Sequence, residues 1–461
     1  MLLEHVPPTK ETKMPSMKHY KITIDLKKKI LYPESRIPYS RKKSQNMPSR
    51  ILFYLISFSI LSFVLSREDI WNHIPCEEEY APKHCDSDKF DLLTVDEYDR
   101  CAPAKLSLIA RNYFLGAAGR RTTYKRNKDA FDEIKIVPHM LRDVSRNTLE
   151  TSTLGLNVDF PIGLSPVAMQ KLAHPDGEIA TVKGISSFRT IMILSSFAST
   201  RLEEVALAAQ KSSIHLWMQI YIFDNRTLTT TLIRRAEMSG FKGIVITADS
   251  PVDGTVTCDG KNQIFSVEGK LLANFDSFNL KYSSSAVFQD IVYLRRLTKL
   301  PIIIKGLLTA EDAIRAMLAG ASAILVSNHG GRQIDGDQAA IEALPGVVNA
   351  VKKLFPLRDL YMDSGVRSGQ DVFKAIALGA KMVFIGRPII WGLALGGSKG
   401  VNNVMNILRN EFNETMLLSG ASNVNEIKKD NVISKVSIWG VNSFGIPQQL
   451  IHEYEDILRG I

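Results

Sequence analysis

The chain has 461 residues, 45% of them hydrophobic and 23% charged, with 29 Gly, 19 Pro and 4 Cys. That balance excludes a disordered, collagen-like or disulfide-stapled chain and leaves room for one large α/β domain with extensions. Lys and Arg number 57 against 48 Asp and Glu, a net charge of +9, of which +8 belongs to residues 1–50; the nearly neutral remainder excludes a nucleic-acid surface spread over the fold.

Residues 1–50 mix Lys, Pro, Ser and Met without an apolar period and read as a basic, solvated tail. Within residues 51–66, the stretch 51–65 is an uncharged run rich in Phe, Leu and Ile. It falls short of the roughly 17–20 apolar residues of a bilayer span, so a short membrane anchor and a local apolar helix both stay open. Residues 67–93, with Glu77, Glu78 and Glu79 in a row, read as an acidic linker. Cys76 and Cys85 could pair in an oxidising compartment, and no Cys/His spacing suits a metal.

From residue 94 to 436 short β-branched apolar runs alternate with amphipathic stretches. Eight runs stand out, at 160–164, 191–194, 216–220, 243–246, 301–304, 323–326, 359–362 and 382–385. Helix-like segments at 227–239, 310–319 and 370–378 each meet a Gly at or just beyond their ends. Eight strand-helix units predict an α/β fold, a (β/α)8 barrel with a non-family N-terminal extension. Residues 247–300, longer than one crossover needs, are expected to carry an active-site loop, and 437–461 form a C-terminal extension.

Enzymes on such barrels work at the C-terminal ends of the strands. Each run here is followed by polar groups: Ser165, Ser195, Gln219 and Tyr221, Thr247 and Asp249, Lys305, Ser327 to Arg332, Asp363, and Gly386-Arg387. Gly365-Val366-Arg367 and Gly386-Arg387, each leading into a helix, suit a cofactor phosphate. Lys305 and Gln219 suit a polar heterocycle such as an isoalloxazine. His329 is the candidate base, Asp249 its partner, and Arg332 a grip for a carboxylate.

The string Ser327-Asn328-His329-Gly330-Gly331-Arg332-Gln333 resembles the signature of the FMN-dependent L-2-hydroxy acid oxidases and dehydrogenases, the family of glycolate oxidase. Residues 94–118, 168–178, 305–312 and 363–377 are similar to that family in order and spacing. The resemblance implies FMN held by Pro166, Val167, Ala168, Ser195, Gln219, Thr247, Lys305 and Ser327. Its phosphate would rest on Asp363, Ser364, Gly365, Val366, Arg367, Gly386 and Arg387. Tyr113 and Arg332 would hold the substrate carboxylate, Tyr221 would lie near its hydroxyl, and Asp249 would orient His329, which takes a proton as the 2-hydroxy acid becomes a 2-oxo acid. Val256 stands where the family carries a second Arg for the carboxylate, and Arg189 and Ser364 stand where it favours Gly.

Residues 1–93 hold no haem-binding HPGG setting around His73 or His84, so dioxygen is the expected acceptor and hydrogen peroxide the co-product. The resemblance further implies a homo-oligomer, a tetramer, in a peroxisomal or cytoplasmic setting, or at a membrane should 51–65 anchor it. The chain ends Arg459-Gly460-Ile461 and not in a peroxisomal tripeptide. The other reading is a flavin-binding scaffold without turnover, which would keep the phosphate residues and lose the substrate rim.

Overall fold

The computed structural model describes residues 92–434, apart from 253, 255, 258–270 and 277–279. The basic tail, the 51–65 run, nearly all of the acidic linker with Cys76 and Cys85, and the extension 437–461 lie outside the described residues. Cys101 is disulfide-bonded. No described helix is long and apolar enough to cross a membrane.

Eight parallel strands close a barrel: β1 (Ile162–Leu164), β2 (Ile191–Leu194), β3 (His215–Tyr221), β4 (Gly243–Thr247), β5 (Ile302–Lys305), β6 (Ala323–Val326), β7 (Asp359–Met362) and β8 (Met382–Ile385). They follow one another in chain order around the barrel, with β8 against β1. The eight apolar runs are these eight strands, their edges moved by at most two residues. Helices pack outside, as parallel strands require. The helix Gly369–Ala377 shows how the sequence delimits one: Ser368 and Asp371 form a capping box, and Gly379 at φ +104° ends it in a conformation that disfavours any Cβ.

Alternation along the strands decides what reaches the site. Ile191, Ile193, Trp217, Val245, Ile303, Leu325, Tyr361 and Phe384 fill the barrel interior as one apolar cluster, while their neighbours pack outward against the helices. A strand has period two, so the residue two beyond each inward one also faces the axis, at the C-terminal rim. Ser195, Gln219, Thr247, Lys305, Ser327, Asp363 and Gly386 all fall in that phase.

The opposite end is closed by an antiparallel hairpin, Thr151–Thr153 with Leu156–Val158. Thr153 Oγ1 donates to Asp359 Oδ2 at 2.8 Å, and Leu154, Leu156 and Val158 seal the interior cluster. Arg189 belongs to this floor: its Nε donates to Asp159 Oδ1 at 3.1 Å and its Nη2 to Glu150 Oε1 at 3.0 Å. That explains an Arg at a position where the family favours Gly, and places it far from the rim.

Candidate active site

At the C-terminal rim the strand ends surround a cavity of about 620 Å³. It is lined by Tyr113, Tyr221, His329 and Arg332, by Pro166 to Ala168, Ser195, Gln219, Thr247 and Lys305, and by Asp363 to Arg367 with Gly386 and Arg387. Of the residues given a catalytic, substrate or cofactor role from the sequence, Asp249 and Ser327 alone are not on this wall. Ser327 is fully buried, and its Oγ accepts the His329 backbone N–H at 3.0 Å, so its contact is with the histidine loop.

His329 sits on the turn after β6 at φ +60°, a left-handed backbone that His tolerates better than most residues. Its Nδ1 lies 2.8 Å from Asp249 Oδ1. A carboxylate only accepts, so the proton is assigned to Nδ1 and Nε2 is left as the acceptor. Burial alone would raise the Asp249 pKa, but His329 and Lys305 beside it hold the carboxyl well below the usual range. Burial and Lys305 depress His329 more than Asp249 raises it, so the imidazole is neutral at neutral pH.

Lys305 is buried, and its Nζ has no hydrogen-bond partner among the described residues; Asp249 Oδ2 is 3.6 Å away and equally unpartnered among them. A buried ammonium without an acceptor is costly unless a ligand supplies one. Gln219 is fixed by Ser196 N–H, which donates to its Oε1 at 3.1 Å, and by its own Nε2, which donates to Thr247 Oγ1 at 3.0 Å.

The end of the cavity where a phosphate was expected is lined by left-handed backbone. Ser364 and Gly365 are consecutive left-handed residues at φ +77° and +88°, and the helix that starts at Arg387 has no side-chain cap over its first amides. Ser364 carries about 1–2 kcal/mol of strain that the family's Gly avoids, offset by its Oγ, which donates to Asp363 Oδ1 and accepts from Gly330 N. Arg367 and Arg387 line the cavity but are tied to protein. Arg367 Nε donates to Asp99 Oδ2 at 3.1 Å. Arg387 donates to the carbonyls of Phe114, Gly330 and Gly116 at 2.8–2.9 Å, and burial pushes its guanidinium down to about 10, still charged at neutral pH. Their field favours an anion at this end of the cavity.

An orphaned ammonium facing a fixed amide, with an uncapped helix start opposite, fits a phosphorylated heterocyclic cofactor. Residues 102–434 match the family described as FMN-dependent dehydrogenase. The chain belongs to that family. Human 2-hydroxyacid oxidase 1 is 41% identical over 73% of this chain and 95% of its own length. The peroxisomal (S)-2-hydroxyacid oxidase of Arabidopsis thaliana is 41% identical over 74% and 96%. Among solved structures, a mandelate oxidase variant with (S)-mandelic acid superposes with a TM-score of 0.69 at 33% identity, over 75% of this chain and 98% of that one. As a member of the FMN-dependent dehydrogenases, this chain uses FMN, and Lys305, Gln219 and the two glycine turns are the residues that fit it.

The part of the cavity where a substrate carboxylate was expected gathers around Gly116. Arg332 Nη1 donates to the carbonyls of Tyr113 and Gly116 at 2.8 and 2.9 Å, and its guanidinium lies 5.1 Å from the Tyr113 ring centroid. Its Nε and Nη2 make no hydrogen bond among the described residues. Val256 pairs with Ala118 in a two-residue antiparallel ladder and leans on Gly116 so closely that a Cβ there would lie 2.4 Å from Val256 Cγ1. The aliphatic side chain thus packs on Gly116, whose carbonyl accepts from Arg332, at the position where the resemblance gives the family a second Arg.

Several wall residues escaped the sequence reading. Phe197 is two residues beyond Ser195 and was findable from the strand phase. Leu272, Leu280 and Tyr282 come from the long 247–300 connection, which has no period to read; an isolated bridge between Phe223 and Tyr282 brings the last of them in.

Proposed function

We propose that the chain oxidises an (S)-2-hydroxy acid to the 2-oxo acid, with FMN as resident cofactor and dioxygen as terminal acceptor, which leaves as hydrogen peroxide. The observation that carries this is the 2.8 Å His329–Asp249 pair opening onto the same cavity as Arg332 and the unpartnered Lys305. The names of the relatives, oxidases of 2-hydroxy acids, agree with it.

FMN supplies a two-electron acceptor. Arg332, with Tyr113 beneath it, binds the carboxylate and so fixes which carbon faces His329. Tyr221 lies on the same wall, near the hydroxyl. Neutral His329 takes a proton at Nε2, and Asp249, already ionised, stabilises the imidazolium without itself changing charge. Lys305 provides the positive group toward the polar edge of the cofactor. Purified protein is expected to be yellow, to release FMN on denaturation, and to bleach anaerobically with 2-hydroxy acids. A yellow protein that no 2-hydroxy acid bleaches would favour the scaffold reading.

The acid limb of the pH profile follows from the site. The groups facing His329 are Asp249, Lys305 and Arg332, and the net effect with burial is a lowered pKa. Because the neutral form is the working base, kcat/KM should rise with pH only below about 6.5, the ordinary His value, and stay level through neutrality. A midpoint above 7 would remove His329 as the titrating base.

Val256→Arg should lower KM for glycolate about tenfold, since an added charge-assisted contact is worth about 1.5–3 kcal/mol. An unchanged KM in a folded, FMN-loaded variant would mean that residue 256 does not reach the carboxylate. By the same family reading the chain forms a homotetramer, checked by light scattering, and resides in peroxisomes or cytoplasm, checked by imaging of the tagged full chain.

A further inference from the structure

The cavity has two unlike halves, and the strand order separates them. The Lys, Arg, Asp and His residues on its wall, Lys305, His329, Arg332, Asp363, Arg367 and Arg387, all lie at or after the ends of β5 to β8. The half that follows β1 to β4 presents Met169, Phe197, Val256, Leu272, Leu280 and Tyr282, with no ionised group on the wall among the described residues, since Asp249 stands behind it. Its polar members Ser195, Gln219 and Thr247 are bonded to one another. Met169 and Leu272 are 2% and 8% exposed and form an apolar cluster separate from the barrel interior, with Phe197, Leu280 and Tyr113 packed on it. Tyr221 continues this surface, 5.2 Å from the Phe197 ring and 4.7 Å from the Tyr282 ring.

Tyr113 belongs to both halves: it lies under Arg332 and packs on the Met169–Leu272 cluster. A 2-hydroxy acid whose carboxylate is on Arg332 and whose C2 faces His329 therefore has its remaining substituent beside the apolar half. Val256 sharpens the contrast, since it sets an aliphatic group against Gly116 next to Arg332.

We propose that the side chain of the substrate is apolar and several carbons long, seated against Val256, Met169, Leu272, Phe197 and Tyr282, and that glycolate is a poor substrate. This rests on the oxidase reading above and names its substrate class. Glycolate has no side chain and leaves that surface to water. A charged side chain would lose its hydration there and meet no opposite charge on that wall among the described residues. Each methylene buried should tighten binding roughly fourfold, or about 50-fold over three.

The test uses the full-length, FMN-loaded enzyme with two readouts. The first is binding, from the shift in the flavin spectrum on titration with acids that lack the hydroxyl: acetate, butanoate and hexanoate. The second is anaerobic bleaching by glycolate, 2-hydroxybutanoate and 2-hydroxyhexanoate. The proposal expects both series to improve with length by at least tenfold overall. It also expects Leu272→Asn and Val256→Thr to flatten that gain severalfold; Val256→Thr keeps the shape of the side chain and stays informative should Leu272→Asn fail to fold. Glycolate working as well as 2-hydroxyhexanoate, or a gain with length that survives in the folded variants, overturns it. Tight hexanoate binding without bleaching by any hydroxy acid would overturn the oxidase reading while the apolar seat stands.

Discussion

His329→Gln is expected to slow anaerobic flavin bleaching by 2-hydroxy acid about 10²–10⁴-fold while the protein keeps its FMN. Glutamine retains a polar tip but has no group that takes up a proton near neutral pH, so substrate still meets Arg332 and finds no base. The loss corresponds to roughly 3–5.5 kcal/mol of barrier, larger than one missing hydrogen bond explains. The backbone offers a control. Residue 329 is left-handed at φ +60°, where Gln is less at ease than His, and part of any loss could come from a displaced turn. Asn adopts that conformation readily, so His329→Asn separates the two causes. If both variants bleach at the wild-type rate with unchanged folding, the proton is taken elsewhere.

How much of this was legible beforehand depends on whether a residue's role follows from local period or from distant contacts. The barrel and the ring of polar strand ends were legible because β-branched runs repeat and because alternation carries the interior phase past each strand end, from Ile303 to Lys305 or from Trp217 to Gln219. The charges of Arg367 and Arg387 were also visible, but not their commitments: Asp99 is 268 positions from Arg367, and Phe114 is 273 from Arg387. Both arginines therefore join the N-terminal helices to the cofactor end of the barrel, which their glycine-flanked settings alone do not reveal. Ser327 was named through the family resemblance, and what the sequence does not show is that its buried hydroxyl accepts the His329 amide across the turn after β6. The apolar wall was the least legible part, since Leu272 and Tyr282 come from a connection with neither period nor motif.

The same low-exposure geometry predicts a large effect on stability from Asp249. Its side chain is 10% exposed and that of Lys305 is 4%, and the two face each other at 3.6 Å without a shared hydrogen bond. Asp249→Asn removes the only carboxylate paired with Lys305 among the described residues and leaves an ammonium buried without its counter-charge. Breaking such a pair from one side costs about 3–5 kcal/mol, and the melting temperature of the FMN-free protein should fall by roughly 5 °C or more. It should also mispoint His329, since an amide at 249 can offer Nδ1 the wrong group. Lys305→Met in the Asp249→Asn background takes away the stranded charge, so the double variant should regain most of the lost stability. It should not regain activity, because His329 still lacks its carboxylate and the cofactor its cation. The two readouts thus part: stability follows the charge balance of residues 249 and 305, whereas turnover follows Asp249 itself. A double variant no more stable than Asp249→Asn alone would show that the 3.6 Å pair carries little coupling.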